Sequence, residues 1–298
     1  MSLVATLICN PDNPVLDSTV VQGARTILRN AGPAHWLCND VAVDIPFESS
    51  DPIPAIVQRL HAVLGGGLPA DVVVQPRLDR RKKLLLADMD STMIDQECID
   101  ELADFAGLKP QVAAITERAM RGEMQFELAL RERVALLKGL PVTVIDEVLA
   151  EHITPTPGGR ELVMTMRANG AYTCLISGGF TLFTNAVAAM IGFQENRANT
   201  LLFENGKLSG TVSEPIVGRE TKLATLIELR KTLGLGNSDT LAVGDGANDL
   251  DMIRQAGLGV AYCAQPAVAM AAAARIDHGD LTALLYAQGY RRDEFVSA

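Results

Sequence analysis

The sequence predicts an α/β protein: a doubly wound, Rossmann-like parallel sheet with a helical cap, preceded by a small α+β unit. Three observations lead there. The runs Leu84-Leu85-Leu86-Ala87, Cys174-Leu175-Ile176 and Leu241-Ala242-Val243 are short and almost wholly apolar, as strands buried on both faces of a parallel sheet are. Each ends abruptly at polar groups, in turn Asp88 and Asp90, Ser177, and Asp245. Strand and helix patterns then alternate from residue 84 onward, interrupted once by a helical stretch, which is the signature of a doubly wound sheet with an insertion.

In chain order, residues 3–9 read as a strand, 16–30 as a helix, 41–47 as an alternating strand, 53–64 as a helix and 71–75 as a strand. The basic cluster Arg77, Arg80, Arg81, Lys82 and Lys83 follows and reads as a solvated linker. After the strand ending at Asp88, the chain is helical from Gln96 to about Glu151. A helix over 158–169, a strand over 172–176 and a helix over 181–191 come next. Residues 200–212 predict a hairpin, because Asn205-Gly206 suits a two-residue primed turn. A helix over 219–233, a strand over 240–244, a helix near 248–256, a strand over 258–262 and closing helices, one alanine-rich near 267–274, complete the chain. The expected division is a small domain over 1–78 and a larger one over 79–298, with the cap at about 96–152.

Composition narrows the function. Of 298 residues, 48% are apolar and 21% charged, as in an ordinary globular protein. A formal charge of −10 argues against nucleic acid as the main partner, since phosphate-backbone affinity comes from clustered Lys and Arg. It leaves room for a small phosphorylated substrate, because local cations and a bound metal set the field in a pocket. Cys9, Cys38, Cys98, Cys174 and Cys263 are scattered, with no pair at metal or redox spacing, so neither a disulfide framework nor a zinc site is expected. The amino terminus shows no basic leader and no stretch is long enough to span a bilayer, so the expectation is a cytoplasmic protein without membrane contact.

The chemistry gathers where the apolar runs end. Side chains two apart on extended backbone point the same way, so Asp88 and Asp90 can face one ligand. Ser177, followed by Gly178 and Gly179, stands at a strand-to-helix turn, where exposed N–H groups and the helix start suit a phosphate oxygen; a plain helix cap is the competing reading. Lys222 opens the helix after Gly218; taken alone it reads as ordinary surface, and Lys207 and Arg219 compete with it for any role at the site. In Gly244-Asp245-Gly246-Ala247-Asn248-Asp249 two carboxylates are crowded among glycines. That arrangement calls for a cation, and magnesium suits oxygen donors of this kind.

Asp88-Met89-Asp90-Ser91-Thr92, Ser177-Gly178-Gly179, Lys222 and Gly244-Asp245-Gly246-Ala247-Asn248-Asp249 resemble, in order, the four motifs of the haloacid dehalogenase superfamily. The stretches Asp88–Glu97 and Met120–Val134 narrow the resemblance to its phosphoserine phosphatase family. Phe126, Leu130, Arg133, Val134 and Leu137 share one helical stripe, so Arg133 is a cation on an apolar face that asks for an anion; pairing with a cap carboxylate is the alternative. Arg131 reads instead as an i, i+4 partner of Glu127.

The resemblance implies a magnesium-dependent phosphatase that hydrolyses O-phosphoserine, the last step of serine biosynthesis, through an aspartyl-phosphate. Asp88 would be the nucleophile and Asp90 the acid and base. Glu97 would bind the substrate ammonium and Arg133 its carboxylate, with Met120 and Phe126 lining the pocket. Ser177, Gly178, Lys222 and Asn248 would hold phosphate. Asp88, the Asp90 carbonyl and Asp245 would hold the metal, supported by Asp249. For Glu97, a role at a helix start is the competing reading. Another small phosphate monoester, or phosphoryl transfer to an alcohol, is the alternative substrate reading. The amino-terminal unit resembles the ligand-binding ACT domains in its order of elements. That leaves open an amino-acid-sensing module with a vestigial phosphatase half, or a packing or homodimerisation domain.

Overall fold

The structure is a computed structural model that describes residues 1–65, 67–120 and 123–296, with the Met120 side chain outside the described part. The chain opens with β1 (Ser2–Cys9), α1 (Ser18–Ile27), β2 (His35–Cys38), β3 (Ala42–Glu48), α2 (Ile53–Leu64) and β4 (Ala70–Pro76). These strands form an antiparallel sheet in the order β2-β3-β1-β4, the split βαβ arrangement. β1 runs through its middle with every residue after Ser2 buried. The Asp17 carboxylate accepts the Val20 N–H and caps α1. Strand β2 was not expected: four residues after Gly32-Pro33 are too few to display a period.

The basic cluster is built in only in part: Arg77, Arg81 and Lys83 are exposed, as a solvated linker would be, while Arg80 and Lys82 are not. Arg80 donates to both Asp44 oxygens, at 3.2 and 2.6 Å, and Thr6 donates to the same carboxylate. Lys82 is buried, donating from Nζ to the carbonyls of Asp79 and Ser238, while Arg81 lies 4.0 Å over the Tyr290 ring. A charge count cannot foresee such partners. They press the small sheet onto the second half of the chain, where the Gln75 amide donates to the Ala287 carbonyl and Asp71 accepts the N–H groups of Asp277, His278 and Gly279.

The second half runs β5 (Leu84–Ala87), then the cap helices α3 (Cys98–Phe105), α4 (Lys109–Met120), α5 (Phe126–Leu136) and α6 (Thr143–Glu151). It continues as α7 (Gly159–Ala168), β6 (Tyr172–Phe180), α8 (Thr181–Ile191), β7 (Glu195–Asn199), the hairpin β8 (Leu201–Glu204) and β9 (Lys207–Val212), and α9 (Arg219–Thr232). Then come β10 (Thr240–Gly244), α10 (Leu250–Gln255), β11 (Leu258–Tyr262), α11 (Pro266–Ala271), β12 (Ala274–Ile276) and α12 (Ala283–Ala287). The strands form a parallel sheet ordered β12-β11-β10-β5-β6-β7, with the hairpin apart. β5, β10 and β11 are buried throughout, as their unbroken apolar composition predicts. The two edge strands, β7 and β12, were not foreseen.

The cap leaves and rejoins the core through a narrow neck: Asp95 N–H donates to the Thr154 carbonyl at 3.1 Å and Thr156 N–H to the Met93 carbonyl at 3.0 Å. The hairpin turns at Asn205 and Gly206, with φ of 52° and 75°, as a primed turn requires. It clasps the chain beyond α5 through Gly139 N–H to the Leu208 carbonyl at 2.8 Å. Among the described residues no helix is long and apolar enough to cross a membrane.

Candidate active site

The sheet order brings the key carboxylates together. β5 and β10 are neighbours with Ala87 opposite Val243, so Asp88 and Asp245 leave the sheet side by side. This is the crevice beyond the carboxyl ends of parallel strands where such folds place ligands. Asp88 N–H donates to the Val243 carbonyl at 3.0 Å and extends the ladder by one step.

Beneath this point lies a buried ionic cluster. Asp88 Oδ1 accepts from Met89 N–H and from Lys222 Nζ, both at 2.7 Å. Lys222 Nζ also donates to Asp249 Oδ1 at 2.7 Å, while Asp249 Oδ2 accepts the Gly246 N–H at 3.1 Å. The missing side chain of Gly244 leaves room for this carboxylate, since a Cβ there would lie 2.5 Å from Asp249 Oδ2. Burial disfavours the Lys222 charge, yet Asp249 and Asp88 outweigh it and hold the ammonium protonated. Asp88, Asp245 and Asp249 can bring one oxygen each within 4.8 Å of one another, a spacing that could hold a metal ion.

Asp88, Asp90, Glu97, Phe126, Arg133, Ser177, Gly178, Asp245 and Asn248 all line one cavity of about 600 Å3 between core and cap. Lys222 and Asp249, both fully buried, lie below it, so Lys222 sits behind Asp88 rather than on the wall. The Met120 side chain falls outside the described residues.

The core wall is shaped by glycines. Gly179 N–H donates to Ser177 Oγ at 2.8 Å. A Cβ on Gly178 would lie 2.9 Å from the Phe126 ring, so the first residue of cap helix α5 rests on the glycine turn. On the cap side, Arg133 donates from Nε to the Ala129 carbonyl at 3.3 Å and from Nη1 to Thr116 Oγ1 at 3.4 Å. Glu97 Oε1 accepts from the Ser91 hydroxyl at 2.8 Å. Arg131 points away and bonds Glu214 at 2.6 Å, the partner the structure shows where the sequence suggested Glu127.

Carboxylates crowd this cavity. Burial, followed by weaker effects that include the nearby Asp88 charge, pushes Asp90 up to about 7. Burial and then Asp90 push Glu97 to about 7, and burial and then Asp88 push Asp245 to about 7. Asp249 is raised well above its usual value, by burial first. Arg133 is moved the other way by burial, against the attraction of Asp100, Glu97 and Asp90. A carboxyl that keeps its proton to near neutrality can serve as an acid, and one beside it as a nucleophile.

Several residues that shape the site carried no sequence expectation. Buried Thr92 donates to Asp245 Oδ1 at 2.8 Å, and Gln265 N–H donates to the Asp245 carbonyl at 3.1 Å. Asp100 and Thr116 share the cavity wall, as does Arg219, which the sequence offered as a rival of Lys222. Ser91 and Thr92 stand inside the first motif, so their presence was visible though their partners were not.

Comparison with known proteins agrees with this geometry. The haloacid dehalogenase-like hydrolase family matches residues 85–254. A phosphoserine phosphatase of Streptomyces coelicolor is 41% identical over 250 residues, covering 84% of this chain; this chain spans only 60% of that relative's length. A haloacid dehalogenase-family hydrolase from Salmonella enterica serovar Typhi superposes with a TM-score of 0.85 at 27% identity, covering 98% of this chain and 99% of that one. A phosphoserine phosphatase solved as a phospho-aspartyl intermediate analogue is 39% identical with a TM-score of 0.64, covering 69% of this chain and 98% of that one. The chain therefore belongs to the haloacid dehalogenase-like hydrolases, among the phosphoserine phosphatases.

Proposed function

We propose that this protein hydrolyses O-phosphoserine to serine and inorganic phosphate, the closing step of serine formation. The observation that carries the reading is one cavity whose core wall bears Asp88, Asp90, Ser177 and Gly178 and whose cap side bears Glu97 and Arg133. A phosphate ester fits the first set, and the ammonium and carboxylate of an amino acid fit the second.

In this mechanism an Asp88 oxygen attacks phosphorus in line with the serine oxygen. The phosphorus–oxygen bond to serine breaks as Asp90 gives its proton to the leaving oxygen, leaving an aspartyl-phosphate. Asp90, now a carboxylate, takes a proton from a water that attacks the same phosphorus, which frees phosphate and restores Asp88. Ser177 Oγ and the Gly178 N–H hold the phosphoryl oxygens as charge builds. Lys222 acts through Asp88, fixing the carboxylate from behind. Asn248 completes the phosphate side, and Phe126 closes the cap against the glycine turn.

Three carboxylates drawn together, with all-oxygen donors, suit a hard divalent cation, and magnesium is the one we infer. Asp88, the Asp90 carbonyl and Asp245 would hold it. Asp249, whose two oxygens are taken by Lys222 and Gly246, supports from below. When bound, such an ion supplies charge neutralisation at the phosphoryl group.

The titration of these groups gives a signed expectation. Asp90, Glu97 and Asp245 keep protons to about 7 in the folded chain, against about 4 for such groups unfolded. The folded state binds more protons between those values, so metal-free stability falls as pH rises through that window. Of these three carboxylates, that of Asp245 is the one that would also hold magnesium, so proton and metal compete there. The rise in melting temperature that magnesium brings should therefore be larger near pH 8 than near pH 5, each extra kcal/mol of stabilisation raising it by about 2–4 °C; an equal rise at both contradicts the assignment.

We place the domain boundary at residues 78 and 79, supported by the separate antiparallel sheet that ends with β4. All five cysteines are free thiols, which supports a reducing, cytoplasmic setting. The direct test is phosphate release from O-phosphoserine with magnesium and with a chelator. Release that stops on chelation and returns with the metal is expected; no release under either condition contradicts the reading.

A further inference from the structure

Buried Asn199 stands outside every motif, yet it ties two of them together. β6 and β7 pair at Ile176–Arg197 and next at Phe180–Asn199. Three residues, Ser177 to Gly179, thus face a single one across the ladder. Such a bulge redirects the strand toward a site and leaves its own backbone groups without ladder partners.

The Asn199 side chain closes that gap. Its Nδ2 donates to the Gly178 carbonyl at 2.9 Å and to the Val217 carbonyl at 3.2 Å, and its Oδ1 accepts the Val217 N–H at 2.7 Å. The residue is 2% exposed, so these bonds face no competition from water. The Gly178–Gly179 peptide is consequently pinned at both ends, its carbonyl by Asn199 and its N–H by Ser177 Oγ. Val217 precedes Gly218, whose carbonyl accepts the Lys222 N–H at 3.0 Å in the first turn of α9. One amide therefore holds the glycine turn in register with the start of the helix that carries Lys222.

We infer that Asn199 is a positioning residue for phosphoryl transfer, setting Ser177 and Gly178 against the Asp88–Lys222 pair. The inference rests on the phosphatase reading above. It differs in kind from the role of Arg133, because the phosphoryl end is common to every ester the site accepts.

The test compares O-phosphoserine with phosphoethanolamine, which lacks the carboxylate, in Asn199→Asp and Asn199→Ala. The Asp variant keeps an acceptor for the Val217 N–H and loses the donor to Gly178. Both variants should lose about 100-fold in kcat on both esters, with KM within about threefold of the unsubstituted protein. Orthovanadate, a mimic of the transferring phosphoryl group, should weaken in parallel with kcat. A merely structural role would lower the melting temperature while leaving kcat per folded molecule and vanadate affinity unchanged, and that result overturns the inference. If the alanine variant does not fold, the near-isosteric Asp variant decides alone. Failure of the phosphatase reading would show separately, as no metal-dependent phosphate release from the unsubstituted protein.

Discussion

Asp88→Asn should stop turnover of O-phosphoserine, with a loss of at least about 10^4-fold in kcat, as removal of a covalent nucleophile does. The substitution is nearly isosteric. Its remaining oxygen can still accept the Met89 N–H that now meets Oδ1. Lys222 keeps the Asp249 carboxylate at 2.7 Å, so the buried ammonium stays paired. Removing the sole partner of a buried charge costs about 3–5 kcal/mol, and here one partner remains, so the variant should fold. Circular dichroism and a melting curve check that directly. Loss of activity in a folded protein then isolates the chemistry, and near-native turnover would end the nucleophile assignment.

Arg133→Ala should divide the substrates. The guanidinium lines the cavity and is tethered only by two long bonds, to Ala129 and Thr116, among those the structure shows for it. Its forked donors suit a carboxylate gripped at two points. Losing a hydrogen-bonded contact to a charged group costs about 1.5–3 kcal/mol, so kcat/KM for O-phosphoserine should fall by about 10- to 100-fold. Phosphoethanolamine, which offers no carboxylate, should change little. Equal losses on both esters would remove Arg133 from substrate selection and leave it a structural cation beside Asp100. Arg133 thus acts on the amino-acid end of the substrate, and Asn199 on the phosphoryl end.

The parts legible in the sequence share a physical cause. β5 and β10 are buried on both faces, so their composition is unbroken and their ends conspicuous, and Asp88, Asp90 and Asp245 follow those ends within three residues. Helix α2 and the Asn205-Gly206 turn were equally clear, because periodicity and a left-handed pair of residues are local properties. The strands that escaped notice are at edges or very short. β7 reads Glu195-Asn196-Arg197-Ala198-Asn199, polar because its outer side faces no further strand. β12 is three residues long.

What sequence could not show in the site is pairing across distance. Thr92 meets Asp245 153 positions away, and Arg131 meets Glu214 83 positions away. Asn199, last residue of an unremarked edge strand, had no signal at all. Within the basic cluster the same holds for Arg80, whose counter-ion Asp44 lies on β3. The four motifs converge on one cavity and its floor, which leaves no support for a vestigial phosphatase half.

The account turns on Asp88 carrying the phosphoryl group between the two halves of the reaction. The most direct measurement is mass spectrometry of the protein quenched in acid during turnover of O-phosphoserine. One phosphoryl group on the peptide that contains Asp88, absent in Asp88→Asn, is the predicted result. A phosphoryl group on any other residue, or none while turnover proceeds, would contradict it.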